Sequence, residues 1–291
     1  MAELFVSVVV PAEHADGSLG GCLASLASVD YPPERYEVLV VGDRSRRNGT
    51  LATAARYGAR HVTVTRRGVG SARNAGVDAS RGEIIAFTDA DCTAATGWLR
   101  ELAAAFSDET VGAVAGTIVP YPPETDAERY AARRRSHSEL RPLGHPERPF
   151  AMAPNLALRR HAFSLIGGFD ETFPGGGWED ADLCWRLART TDLTLGYAPR
   201  AVVFHRYRTT SRAFLAQHYR YGYGLGVLLR KYRTEVPSAW LAGPHSSRGV
   251  AGHTWAWLRG GEERASLKFD LLRALGQRAG FLHATALARN R

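Results

Sequence analysis

Hydrophobic positions along this chain follow two rhythms. Leu4 to Val10 is an apolar run closed by Pro11, and Val38 to Val41, His61 to Val64 and Ile84 to Thr88 follow at intervals of roughly 25 to 35 residues. Short valine- and isoleucine-rich runs without in–out alternation suit strands buried on both faces. Between them apolar residues recur at helical spacing: Leu19, Leu23 and Leu26, then Leu51 to Tyr57, then Ser71 to Ala79, and Trp98 to Phe106 after the fourth run. The alternation predicts an α/β fold, a Rossmann-like, mostly parallel central sheet flanked by helices and joined by right-handed crossovers. Ligands of such sheets bind beyond the carboxyl ends of the strands, so the loops there are where chemistry is sought.

Val111 to Val119 predicts a further strand. Tyr121 to Pro149 is rich in Pro, Arg and Glu and reads as a long loop with a short helix around Glu128 to Arg135; loops of that length in compact domains are usually functional or disordered. Asn155 to Leu158 resumes the sheet, Asp180 to Ala188 is helical, and Leu193 to Phe204 supplies two short strands. Beyond Ser211 a helix runs to about Tyr232, and a Pro/Gly/Ser-rich linker, Pro237 to Gly252, leads to a last helix from Leu267 to about Leu287. The expected division is a catalytic domain over 1–210, with a nucleotide-binding half to about 119 and an acceptor-side half from about 120, followed by a helical C-terminal extension over 211–291.

Composition narrows the class. The 291 residues are 45% hydrophobic, enough for a substantial core. No stretch reaches the ~18 to 20 apolar residues that cross a bilayer, and the N-terminus lacks the layout of a secretory signal, so a cytoplasmic protein is expected. Cys22, Cys92 and Cys184 are odd in number and lie in apolar-periodic segments, which predicts buried free thiols. The net charge of +8 is uneven: residues 200–291 hold 16 Lys or Arg against 4 Asp or Glu, net +12, leaving −4 for the rest. A basic third suits nucleotide phosphates, nucleic acid or an acidic membrane surface, and a solvated basic face is an equal reading. Leu267, Leu271, Leu275 and Leu282 form a stripe compatible with docking on the domain, with a homodimer, or with peripheral contact on the cytoplasmic face of a membrane; docking is the expectation.

Several segments carry candidate chemistry. Asp89-Ala90-Asp91 places two carboxylates just past the fourth strand, where a hard divalent cation bridging a diphosphate would want oxygen ligands; as a bare pattern it is more often a turn or cap. Arg66 to Gly82 sets glycines before a helix start with Arg73 in the first turn, suited to phosphate or a uracil-like ring, or simply a glycine-capped helix. Gly175-Gly176-Gly177-Trp178-Glu179-Asp180 leads a flexible triplet into two acids at a helix N-terminus, where the dipole favours them whatever their role and where one could act as a general base. His205 ends the last strand, a place for a neutral imidazole ligand or a structural histidine. Gln217, Arg220 and Tyr221 share a helix face by their spacing.

Taken in order, these segments resemble the family 2 glycosyltransferases with the GT-A fold. The likeness covers residues 5 to about 225: VSVVVPA (Val6 to Ala12), VLVVGDRSRRNGT (Val38 to Thr50), GSARNAGVDASRGEIIAFTDADC (Gly70 to Cys92), NLALRRHAFSLIGGFDETF (Asn155 to Phe173) and WEDADLCWRL (Trp178 to Leu187). The resemblance implies that Pro11, Glu13 and Asp43 line a nucleoside pocket with Arg73, that Asp89 and Asp91 hold a metal and the donor with His205 as a further ligand, and that Arg220 meets the diphosphate. It implies Asp180 as catalytic base, with Glu179 and Trp178 on the acceptor side. It also implies Mn2+ or Mg2+ as cofactor, a nucleotide-diphosphate sugar donor (UDP favoured over GDP or dTDP), an inverting displacement onto a hydroxyl acceptor, and no nucleic-acid partner. The chain departs from the family pattern at Gly42, where an acid is common, at Glu13-His14 in place of an aromatic-Asn pair, and at Tyr221 in place of a tryptophan. With no membrane spans following, a polymer-extruding synthase is not expected. The alternatives are a sugar nucleotidyltransferase, against which Pro11 to Gly17 offers no Lys or Arg, and a noncatalytic basic anion-binding protein.

Overall fold

The computed structural model describes residues 4–12, 17–43, 47–134, 149–173, 176–232, 247–259 and 264–289. The strands are β1 (Val6–Pro11), β2 (Tyr36–Asp43), β3 (Arg60–Val64), β4 (Ile84–Phe87), β5 (Cys92–Ala94), β6 (Val111–Pro120), β7 (Leu156–Arg159) and β8 (Thr194–His205). Among the described residues the helices are α1 (Leu19–Leu26), α2 (Arg47–Arg56), α3 (Val69–Ala79), α4 (Trp98–Ala104), α5 (Asp126–Arg133), α6 (Arg160–Leu165), α7 (Glu179–Thr190), α8 (Ser211–Lys231), α9 (Ser247–Arg259) and α10 (Arg264–Arg289). The chain divides into two compact units, one of Met1–Tyr121, His137–Glu171 and Asp180–Arg206, the other of Pro122–Ser136, Thr172–Glu179 and Tyr207–Arg291.

The first unit is built on a single eight-stranded sheet of order β3-β2-β1-β4-β7-β6-β8-β5. The four apolar runs are its parallel half, with β1 between β2 and β4 and β3 at the edge. Both faces of β1 are covered. Val6, Val8 and Val10 pack with Leu19, Leu23 and Leu26 of α1 and with Trp98, Leu99 and Leu102 of α4, while Val9 packs on the other side with Ala72 and Val77 of α3. Burial on both faces is why the run lacks alternation. The rest of the sheet is mixed: β7 runs antiparallel to β4 and β6, β6 pairs β8 in parallel, and β5 runs antiparallel to β8.

Two expectations for this unit need correction. The pair of short strands anticipated over Leu193 to Phe204 is one strand, β8, whose register against β6 jumps from Gly116↔Ala198 to Thr117↔Val202. Pro199 has no N–H to give a ladder, so the chain bulges there, and buried Asn155 satisfies the freed carbonyls by donating to Thr117 O and Ala201 O, both at 2.9 Å. Its Oδ1 accepts the Trp98 indole N–H at 2.8 Å. A Cβ on Gly116 would lie 2.4 Å from the Asn155 amide, so this register requires glycine. The second correction is β5, which the apolar rhythm missed because three residues are too few to show a period. The three cysteines are free and buried, as expected.

The second unit is helical. Thr125 and Glu128 close a reciprocal capping box that starts α5 before the expected Glu128. Arg135 and the rest of the expected loop to 148 lie outside the described residues. Tyr130 of α5, Phe214 of α8 and Phe269 of α10 form an aromatic knot, with ring centroids 5.1 to 5.6 Å apart. Helices α8 and α10 pack through small residues: a Cβ on Gly280 would lie 1.9 Å from the Tyr219 carbonyl, one on Gly222 2.0 Å from that of Gln277, and one on Gly226 2.7 Å from the Ala284 methyl. The stripe of Leu267, Leu271, Leu275 and Leu282, expected to dock on the domain, is not the side of α10 that meets α8. Leu275 and Leu282 are exposed, and the buried side carries Phe269, Ala274, Gly276, Gly280 and Ala284. The expected linker to Gly252 is corrected too: α9 begins at Ser247, while 237–246 lie outside the described residues. No described helix is long and apolar enough to cross a membrane.

Candidate active site

At one end of the sheet, strand pairing joins two remote parts of the chain. Asp89 and Asp91 follow β4, and β5 then sets Cys92 opposite His205 of β8. The Arg206 N–H donates to the Asp91 carbonyl at 3.0 Å. His205 Nε2 thereby stands 3.5 Å from Asp91 Oδ1, and Asp91, Cys92 and His205 offer ligand atoms all within 4.8 Å of one another. A carboxylate oxygen and an imidazole nitrogen suit Mn2+ or Mg2+. Cys92 is a different kind of neighbour, because burial first and then the Asp91 and Asp89 carboxylates push its thiol well above the usual range. A hard cation prefers the Asp91 carboxylate, with the His205 imidazole beside it, to the soft sulfur of Cys92. Cys22 is raised for the same reasons, and its Sγ lies 3.6 Å from the Asp89 carbonyl.

Asp89 has another partner. Arg73 is buried, and its Nη2 lies 3.1 Å from Asp89 Oδ1 while its guanidinium sits 5.2 Å from the centroid of the Phe169 ring. Burial raises the Asp89 pKa; Arg73 opposes this, and Asp91 adds to it. Because α3 begins at Val69, Arg73 falls in the second turn rather than the expected first, facing a carboxylate instead of crowning the helix end. The next residue, Asn74, fixes this arrangement: its amide donates to Phe169 O at 2.9 Å and accepts from Phe169 N–H at 2.8 Å. Sequence reasoning missed Asn74, Phe169 and Cys92, for which the only local signals were adjacency to Arg73, to Gly167-Gly168 and to Asp91. Pro11 ends β1 opposite Val41. Asp43 ends β2, its side chain lying outside the described ones, and Glu13 lies outside the described residues.

Asp180 stands at the start of α7, half-buried, where the helix dipole favours an acid. Its Oδ2 accepts from the Ala153 N–H at 3.2 Å and its Oδ1 from the Ala181 N–H at 2.9 Å. With both oxygens held by backbone N–H groups, the carboxylate has a defined orientation. Two residues on, buried Asp182 pairs with Arg186 at 2.9 Å, and Arg186 donates to Gly168 O at 2.6 Å, tying α7 to the turn before Phe169.

In the second unit, Trp178 has a φ of 75°, the one described non-glycine residue on that side of the Ramachandran map. A bulky residue there is strained and is held by its surroundings. Gly176 and Gly177 precede it at φ 84° and 140°, its indole donates to Tyr221 O at 3.0 Å, and Glu179, buried, accepts from the Gly177 N–H. Gly224 lets α8 approach this loop, since a Cβ there would lie 2.0 Å from Gly177 O. The spacing of Gln217 and Tyr221 works as expected, with Nε2 donating to the phenol at 3.0 Å. Burial first and Arg208 second lower the Arg220 pKa.

Comparison with known proteins agrees with this geometry. The profile of "Glycosyl transferase family 2" matches residues 7–167. The chain is 39% identical over 165 residues to "Pre-mycofactocin glycosyltransferase" of Mycobacterium tuberculosis, a match covering 54% of this chain and 34% of that relative, so it spans about a third of that protein's length. It is 30% identical over 230 residues to "Glycosyltransferase AglE" of Haloferax volcanii, covering 76% of this chain and 72% of the relative. Among solved structures it superposes, at 22% identity and a TM-score of 0.61, on a mannosyltransferase of Pyrobaculum calidifontis in complex with GDP-Man and Mn2+, covering 100% of this chain and 80% of that one. The architecture, a mostly parallel central sheet flanked by helices with a helical C-terminal extension, is GT-A-like. The chain belongs to glycosyl transferase family 2.

Proposed function

We propose that this protein is an inverting glycosyltransferase that moves a sugar from a nucleoside diphosphate to a hydroxyl of its acceptor, with Asp180 as general base. The observation that carries the reading is the meeting of Asp91 and His205, which β5 and β8 bring together at the sheet edge where α/β folds bind ligands. When bound there, a divalent cation supplies positive charge for the departing diphosphate. Family membership argues against the nucleotidyltransferase alternative.

In the proposed step the acceptor oxygen bonds to the anomeric carbon as that carbon's bond to the diphosphate oxygen breaks. The acceptor proton passes to the Asp180 carboxylate, whose two oxygens are aimed by Ala153 and Ala181, and the bonding electrons leave with the diphosphate. Attack opposite the leaving group inverts the configuration. Arg73 opposes the effect of burial on the Asp89 carboxyl, whose pKa is raised overall. Arg220 is assigned by family likeness to the diphosphate, where a fixed cation helps most as charge develops. The donor bound to Mn2+ in the Pyrobaculum protein is a nucleoside diphosphate sugar, which supports the same donor class here.

Asp180→Asn keeps the shape and removes the base. Turnover of the donor, followed by nucleotide release with acceptor or with water, is expected to fall about 10²- to 10⁴-fold while nucleotide affinity stays unchanged. Undiminished turnover would take Asp180 out of the role.

A further inference from the structure

We infer that Asp91, Cys92 and His205 also form a capture site for a thiophilic dication of the Zn2+ class, with the Cys92 sulfur as the ligand that separates it from Mn2+ and Mg2+. All three residues lie in the first unit. The capture itself does not depend on the reaction proposed above; only its consequence for the nucleotide rests on that reading.

Strand register builds the triad. Cys92 and His205 are directly opposite each other on the antiparallel pair β5 and β8, so their side chains share one face of the sheet, and Asp91 immediately precedes Cys92. An ion held tetrahedrally by bonds of about 2.1 Å needs its oxygen and nitrogen ligands about 3.4 Å apart. Asp91 Oδ1 and His205 Nε2 already stand 3.5 Å apart. With a Zn–S bond of about 2.3 Å, the sulfur belongs about 3.6 Å from each of them. The three ligand atoms lie within 4.8 Å of one another, so the sulfur has at most about 1.2 Å to close.

One oxygen, one nitrogen and one sulfur donor make a set that zinc sites draw on, with a fourth position left open. Mn2+ and Mg2+ favour oxygen and leave the sulfur aside. On capture the Cys92 S–H bond breaks, the sulfur keeps the electron pair and bonds to the ion, and the proton passes to solvent, so no oxidant is required. The raised pKa of the thiol is a cost that the ion–sulfur bond has to exceed. Charge then distinguishes the two loaded states. A dication on the Asp91 carboxylate and the His205 imidazole keeps one net positive charge for a diphosphate, whereas one that also holds the Cys92 thiolate keeps none. The Zn2+-loaded corner is therefore expected to hold a nucleoside diphosphate more weakly than the Mn2+-loaded one.

Titration of the full chain with Co2+, a coloured stand-in for Zn2+, tests the ligand set without any nucleotide. The expected result is a sulfur-to-cobalt charge-transfer band in the near ultraviolet that Zn2+ removes, that Cys92→Ser abolishes and that Cys22→Ser retains, with circular dichroism confirming that both variants fold. Zn2+ affinity, measured against a competing chelator, is expected to fall at least about tenfold in Cys92→Ser while Mn2+ affinity changes less than about twofold. The spectrum of the unaltered protein decides the matter even if Cys92→Ser misfolds. Absence of the band, its persistence in Cys92→Ser, or an equal fall in Mn2+ and Zn2+ affinity would each overturn the inference. A chain that shows the band yet does not bind Mn2+ would keep the Zn2+ site and remove the donor-site reading, so the two failures are separable.

Discussion

The ion pair between Arg73 and Asp89 shows how single residues divide the work at the sheet edge. Arg73 takes one carboxylate of the Asp-x-Asp segment and leaves Asp91 to His205. Sequence alone treats the two acids as equivalent, because their spacing says nothing about which side chain a buried arginine will meet. Titration at a second residue gives a sharper test. His218 is buried between Phe214 and Tyr221, and burial first and Arg273 second push its pKa down from 6.5 to about 4. Its folded form is neutral, so between those values the unfolded chain binds more protons and stability falls as pH falls. The expected loss on going from neutral pH to about 4 is on the order of 3 kcal/mol. Denaturant unfolding of the wild type and of His218→Phe reads it directly: the difference between their stabilities should change across that window and flatten above it. A pH-independent difference would mean that His218 does not titrate this way.

Among the elements, legibility tracked the strength of the periodic signal. The strands β1 to β4 were readable because each is a valine- or isoleucine-bearing run between helical patterns. β5 was not, being three residues long, and the jump in β8 lay in pairing with β6, which no local pattern encodes. α10 misled for a different reason. Its leucines gave a plausible stripe, but the contact with α8 depends on backbones close enough that glycine and alanine occupy the buried side, and small residues contribute almost nothing to an apolar period. Gly280→Val tests this packing. Its side chain would collide with the Tyr219 carbonyl, so the expected cost is about 3 kcal/mol or more, seen as a Tm lowered by several degrees. An unchanged Tm would show that the helices do not pack this closely.

For the whole molecule, the family and the GT-A-like architecture were legible because several motifs stand in the right order along the chain, whereas the metal corner was only half legible. Asp89-Ala90-Asp91 announced itself; the approach of His205 needed the β5–β8 register to exist. The account turns on Asp91 and His205 jointly serving a cation that accompanies a nucleoside diphosphate. Calorimetric titration of UDP, GDP and dTDP into the full chain, with and without Mn2+, and into Asp91→Asn, tests this most directly. The account predicts that at least one nucleotide binds, that Mn2+ tightens its binding by at least about tenfold, and that Asp91→Asn abolishes the Mn2+ effect. Binding that ignores Mn2+, or an Mn2+ effect that survives in Asp91→Asn, would contradict it.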